Sequence, residues 1–158
     1  MIKYLEHMAT IRGEPREGYR YSCFEAYVLA QGKPYASKRI SAARKKQILE
    51  HIKTHRLSFP IKQCFANCLK FVLTAPLDGV TYVEGFATGH IIPFHHAWLS
   101  VDGLVFDPTL RLKHKPELKR DSLATNRIWG DLGEREYIGV EFTDIEMLTR
   151  RAVETELL

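Results

Sequence analysis

Apolar residues recur at helical spacing in three stretches of this chain and alternate or cluster as in strands in four others. In 41–55, Ile48, Leu49 and Ile52 share one side of a 3.6-residue repeat, and Ser41 stands where a helix cap belongs. In 63–73, Phe65, Cys68, Leu69 and Val72 lie at i, i+3, i+4 and i+7, one apolar stripe with Cys64 in its first turn. Pro76, Asp78 and Gly79 end that helix. Residues 80–86 predict a strand in which Gly85 allows a kink or a close backbone approach. Residues 96–101 predict a second strand, Asp102-Gly103 a hairpin turn, and 104–106 the return strand, with Pro108 stopping further pairing. Residues 137–142 predict another strand. Thr143 and Glu146 then form a capping box for a last helix that turns Ile145, Leu148 and Ala152 inward.

The remaining segments are less decisive. Residues 1–18 have mixed polarity and weak periodicity, ending in Gly13, Pro15 and Gly18, while the aromatic-rich 19–31 fits helix or strand. Gly32-Lys33-Pro34 breaks the chain, 57–60 reads as a connector, and 110–136 as a long polar loop or short helix. Helices first, then a thiol-bearing helix, then an antiparallel sheet make an α+β arrangement. We expect a single domain over 1–158: a mainly helical part in 1–58, a core in 59–142 and a C-terminal helix in 143–158. No internal repeat or low-complexity tract interrupts it.

Composition narrows the setting. The 158 residues are 45% hydrophobic and 27% charged, enough for one core and unlike a disordered chain. No apolar run approaches the roughly 18–20 residues of a membrane span. Lys3, Glu6, His7, Arg12 and Glu14 break up the start, unlike the apolar segment of a signal peptide. Three cysteines, an odd number, suit free thiols in a reducing compartment, so a cytoplasmic location is expected. The net charge of +4 is unevenly spread. Lys38, Arg39, Arg44, Lys45, Lys46, Lys53 and Arg56 crowd one segment in which Glu50 is the only acid. A second basic run extends from Arg111 through Lys113 and Lys115 to Lys119 and Arg120, and the C-terminal part is acidic. These runs are expected to be solvated faces, the alternative being a surface for an acidic protein or nucleic acid.

The candidate chemistry lies in Cys64, His96 and Asp107. A thiol, an imidazole and a carboxylate are the parts of an activated cysteine, its base and the group that orients the base. A helix start lowers the pKa of a thiol in its first turn, and an imidazolium beside it lowers it further. With a two-residue turn at Asp102-Gly103, Val101 pairs with Leu104, Leu99 with Phe106 and Trp98 with Asp107. His96 then stands two residues along from the partner of Asp107 on the same face, within diagonal reach. The carboxylate can hold one ring nitrogen and leave the other toward Cys64.

The elements Cys64, His96-Ala97-Trp98, Val101-Asp102-Gly103 and Phe106-Asp107-Pro108-Thr109 resemble the transglutaminase-like branch of the papain-like cysteine hydrolases. The resemblance spans 61–110, about a third of the chain. It implies a papain/transglutaminase-like core, with Cys64 as nucleophile, His96 as base and acid, and Asp107 as the orienting carboxylate. It also implies a protein, peptide or small-amide substrate and no cofactor. Many members place a tryptophan beside the nucleophile, whereas Cys64 has Gln63 and Phe65 as neighbours.

Around this set, Gln63 is a candidate for holding an oxyanion together with the helix-start amides. Asn67, one turn from Cys64, is a candidate for substrate or supporting contacts, or a plain surface residue. Glu84 is a candidate for a cationic or amide substrate, or an edge charge. Trp98 and Trp129 are read as core or cleft wall, and His90 as a loop residue that can line a cleft. Cys68 is expected to pack as a small hydrophobe, and His95 to be an exposed neighbour on the opposite strand face. A metal site of Cys64, Cys68, His95 and His96 is disfavoured because the spacing matches no paired-ligand pattern. The expectation is a cysteine enzyme acting on an acyl or amide bond. Its alternative is a non-catalytic binding module that uses the basic runs.

Overall fold

The computed structural model describes residues 1–36, 38–60, 62–88, 92–109, 135–144 and 146–149. They form a mixed α/β structure with helices α1 (Ile2–Arg12), α2 (Phe24–Gln31), α3 (Ala42–Thr54) and α4 (Cys64–Thr74), and a further helical turn at 146–149. The strands are β1 (Lys33–Tyr35), β2 (Val80–Thr88), β3 (Pro93–Val101), β4 (Leu104–Phe106) and β5 (Tyr137–Phe142). They make one antiparallel sheet in the order β1-β5-β2-β3-β4. The sheet curls far enough for Ala36, just past β1 at one edge, to form a bridge with Leu104 of β4 at the other.

The curl gives the sheet two unlike faces. Because strand side chains alternate, Tyr82, Ala97, Leu99 and Phe106 point outward, where Cys68, Leu69, Phe71 and Val72 of α4 and Ile48 and Ile52 of α3 bury them. Further along the same face, Phe86 packs with Leu5 of α1 and Val28 of α2. The inner face holds Tyr35, Val83, Ala87, Trp98, Val105 and Tyr137. Trp98 fits there because β5 offers no side chain beneath it: a Cβ at Gly139 would come within 2.6 Å of the indole. Gly85, paired with Gly139, is equally closed to a side chain, since a Cβ would meet the Ile138 carbonyl; this is the close approach its sequence context predicts.

Local signals explain most elements. Ser41 Oγ accepts from the Arg44 N–H at 3.2 Å, capping α3 as expected. Asp102 and Gly103 both take positive φ, 52° and 83°, the backbone of a two-residue hairpin turn. Arg44 reaches that turn from α3, its guanidinium 2.9 Å from Asp102 Oδ2 and also on the Asp78 carbonyl. Several boundaries differ from the sequence reading. Residues 1–18 carry a helix despite weak periodicity, and 19–31 resolves to helix only from Phe24, with Cys23 Sγ accepting the Ala26 N–H at 3.4 Å. The break at Lys33-Pro34 is an edge strand, where proline's missing donor is tolerated. The last helix is capped by Asp144, whose Oδ1 accepts from Met147 N–H at 3.0 Å, rather than by Thr143; Leu148 is buried within it. Ile145, Ala152, His90, Trp129 and the second basic run lie outside the described residues.

Candidate active site

β4 decides where the site sits. It pairs with β3 only over Leu99–Val101, while β3 pairs with β2 along its whole length. The chain leaves the sheet at Asp107, so the expected Trp98–Asp107 pair does not extend the ladder. Beyond that point the edge of β3 at His96 and Ala97 meets the first turn of α4. The three candidate residues therefore straddle a sheet edge. His96 and Asp107 come from the inner face, and Cys64 comes from the helix on the outer face.

The diagonal geometry is realised. His96 Nε2 lies 2.6 Å from Asp107 Oδ2, with His96 only 6% exposed and Asp107 fully buried. The other ring nitrogen, Nδ1, is not engaged by Asp107, and the Cys64 side chain interacts with the imidazole. Asp107 is itself held: Oδ1 accepts from the Thr109 N–H at 3.1 Å, and Oδ2 also accepts from the Tyr137 hydroxyl at 3.2 Å. The His96 ring lies between Phe94, with centroids 5.2 Å apart, and Trp98, near-parallel at 6.4 Å. This packing leaves the imidazole little freedom to rotate away from the thiol.

Electrostatics follow from these contacts. Burial opposes ionisation of Cys64. The His96 side chain and the backbone N–H groups of Ala97 and Phe65 outweigh it and hold the thiol below its ordinary value. The Ala97 contact exists because β4 has already turned away from that part of the β3 edge. Burial also disfavours a charged His96, but the Asp107 carboxylate and the contact with Cys64 push it up to about 10. Both shifts favour a thiolate–imidazolium pair. Cys68, one turn on, is fully buried, and burial pushes its thiol well up. It packs as the small hydrophobe its position on the stripe implies.

The other candidate residues fall in different places. Gln63 is exposed at the start of α4, and its side chain makes no capping bond. Asn67 points inward, 2% exposed, its amide donating to the Pro60 carbonyl at 2.8 Å and to Thr109 Oγ1 at 3.0 Å. It supports the turn that carries Asp107. The plain surface residue allowed by its sequence position is not what forms. Glu84 is no edge charge either: β2 lies between β3 and β5, and Glu84 is 2% exposed. It accepts the Tyr82 hydroxyl at 2.5 Å and lies 3.8 Å from His95 Nε2. His95 stands on the opposite strand face from His96, half-exposed among Phe24, Phe65 and Phe86. Trp98 is wholly buried core.

Thr109, which the sequence marks only as the end of the Asp-Pro-Thr motif, and Tyr137, which it marks only as the start of a strand, both contact Asp107. Thr109 sits within the Asp-Pro-Thr motif, where a backbone donor two residues on is a local signal for a carboxylate turn. Tyr137 carried no such sign; only the placement of β5 brings it over Asp107.

Lys33, and Arg44 and Lys46 of the first basic stretch, each face an acid, Glu141, Asp102 and Glu50 respectively. Among the described residues, no group of three or more His, Cys, Asp or Glu side chains converges as a metal site. No helix there is long and apolar enough to cross a membrane. No protein-family model, curated protein or solved structure matches the chain.

Proposed function

We propose that this chain is a cysteine-nucleophile enzyme with a papain/transglutaminase-like core, acting on an acyl or amide bond. The observation that carries the reading is the His96–Asp107 contact of 2.6 Å, which commits Nε2 and leaves Nδ1 to the thiol of Cys64. The Cys64 thiolate attacks the carbonyl carbon, and the carbonyl's π electrons move to its oxygen. The helix-start N–H groups of α4 carry that oxyanion, with Gln63 as an additional donor. As the intermediate collapses, the carbon–nitrogen bond breaks and His96 gives its Nδ1 proton to the departing amine, leaving a thioester on Cys64. Water, deprotonated by His96, then releases the acid; an amine in its place forms a new amide. Asp107 stays ionised throughout and stabilises the imidazolium. The free thiol this chemistry needs suits a reducing compartment, the cytoplasm in our reading.

The test is thiol reactivity read residue by residue. Under limiting iodoacetamide at pH 6, mass spectrometry should find Cys64 alkylated well ahead of Cys23 and Cys68, and a lysate incubation should leave an acyl mass on Cys64 alone. Equal and slow alkylation of all three thiols would overturn the reading.

A further inference from the structure

Asp107 Oδ2 is a shared acceptor. His96 Nε2 reaches it at 2.6 Å and the Tyr137 hydroxyl at 3.2 Å, while Thr109 N–H occupies Oδ1. We propose that Tyr137 is a positioning residue that tunes the His96–Asp107 pair, its phenol drawing negative charge from the oxygen that holds the imidazolium. The inference rests on the triad reading above.

The direction of the Tyr137 bond follows from chemistry. An ionised carboxylate only accepts, so the phenol donates. Tyr137 is 1% exposed, and burial and the Asp107 charge push its own ionisation well up, so the proton stays on it. Its ring is fixed by Trp98, edge-on at 5.0 Å, and by its place at the start of β5.

Two donors on one oxygen share its charge, so each weakens the other's bond. Without the phenol, Asp107 would hold the His96 proton more tightly, and the imidazolium would be a poorer acid toward a leaving amine. Among the described residues, the titratable groups around this pair come from α4, from the start of β5 and from the far face of the sheet. Cys64 and Cys68 approach from α4, the thiolate of Cys64 favouring the imidazolium and Cys68 remaining neutral. Arg135, just before β5, bonds Tyr137 and pulls its ionisation down against Asp107. His95 and Glu84 lie on the other face of the sheet.

The experiment is an NMR titration of the His96 imidazole in the full chain, with melting temperature measured alongside. Tyr137→Phe should move the His96 midpoint upward by on the order of half to one pH unit, the worth of one hydrogen bond. Tyr35→Phe, in the same aromatic cluster and edge-on to Trp98, should leave it in place. A fluorotyrosine placed at 137 is a stronger donor and should move it downward; this variant carries the test if Tyr137→Phe fails to fold. An unmoved midpoint in the 137 variants overturns the inference even if melting falls, as does an equal shift in Tyr35→Phe. A wild-type His96 titrating in the ordinary imidazole range would instead overturn the triad reading itself.

Discussion

The Asn67 side-chain amide donates to Thr109 Oγ1 at 3.0 Å, tying the helix that carries Cys64 to the turn that carries Asp107. The same amide reaches the Pro60 carbonyl at 2.8 Å, so one buried side chain fixes both the entry to α4 and the exit from β4. Thr109 passes the constraint on, because its N–H holds Asp107 Oδ1. Placement of the carboxylate thus depends on a residue with no contact to it.

Asn67→Ala should therefore cost activity as well as stability. It removes two hydrogen bonds and leaves the buried Thr109 hydroxyl and the part-buried Pro60 carbonyl poorly satisfied, about 1–3 kcal/mol in urea denaturation. The loosened turn should lower turnover by roughly 10- to 100-fold, as small misplacements of reacting groups do. Stability loss with undiminished kcat per folded molecule would separate Asn67 from the site.

Gly139, beneath Trp98, and Gly103, in the β3–β4 turn, should behave differently. At Gly139 a Cβ would lie 2.6 Å from both the Glu84 carbonyl and the Trp98 ring, so Gly139→Ala must displace the indole that stacks on His96. A loss of about 1–3 kcal/mol is expected from overpacking. At Gly103 a Cβ meets nothing within 4 Å, and only the positive φ of 83° opposes it. Gly103→Ala should cost about 1 kcal/mol and leave the Trp98 fluorescence unchanged.

Much of this arrangement was legible in the sequence because it is local. The Asp102-Gly103 turn sets the register of β3 and β4, and that register puts His96 diagonal to Asp107. The stripe of Phe65, Cys68, Leu69 and Val72 sets which way α4 faces, and hence that Cys64 opens it. What sequence did not show depends on the curl and the order of strands. β5 inserts between β1 and β2, a non-local pairing that no periodicity encodes, and with it come Tyr137 and the glycine floor under Trp98. Helix α1 was missed because its apolar residues form no clear stripe; its burial comes from α2 and Phe86.

The ionic pair gives a pH signature in stability. His96 is raised from 6.5 to about 10, so the native state holds a proton the unfolded chain has lost; that contribution is complete below pH 6.5 and lost as pH rises through about 10. Cys64 is lowered from 9.0, so its contribution is complete above pH 9.0 and lost as pH falls through its native value. Between pH 6.5 and 9.0 the two proton differences oppose each other wherever native Cys64 is ionised, so wild-type stability should vary less with pH there than His96 alone would make it. Cys64→Ala removes one side of the balance. Its unfolding free energy should fall as pH rises above 6.5, and a flat profile for this variant would show that Asp107 by itself does not raise His96.

Asp107→Asn tests the orientation of the imidazole most directly. Thr109 N–H needs an acceptor at the Oδ1 position, so the amide oxygen is held there and the amide nitrogen takes the place of Oδ2. That nitrogen donates, and His96 Nε2 must then accept. The ring proton moves to Nδ1, facing Cys64, and a neutral imidazole in that tautomer cannot take the thiol proton. Alkylation of Cys64 at pH 6 should slow by roughly 100-fold or more, recovering only as pH approaches the ordinary thiol range. Turnover should fall by about 10³- to 10⁴-fold with the fold intact by circular dichroism. Wild-type alkylation by Asp107→Asn at pH 6 would mean that Cys64 owes its acidity to the helix start and the Ala97 N–H, and not to an oriented His96.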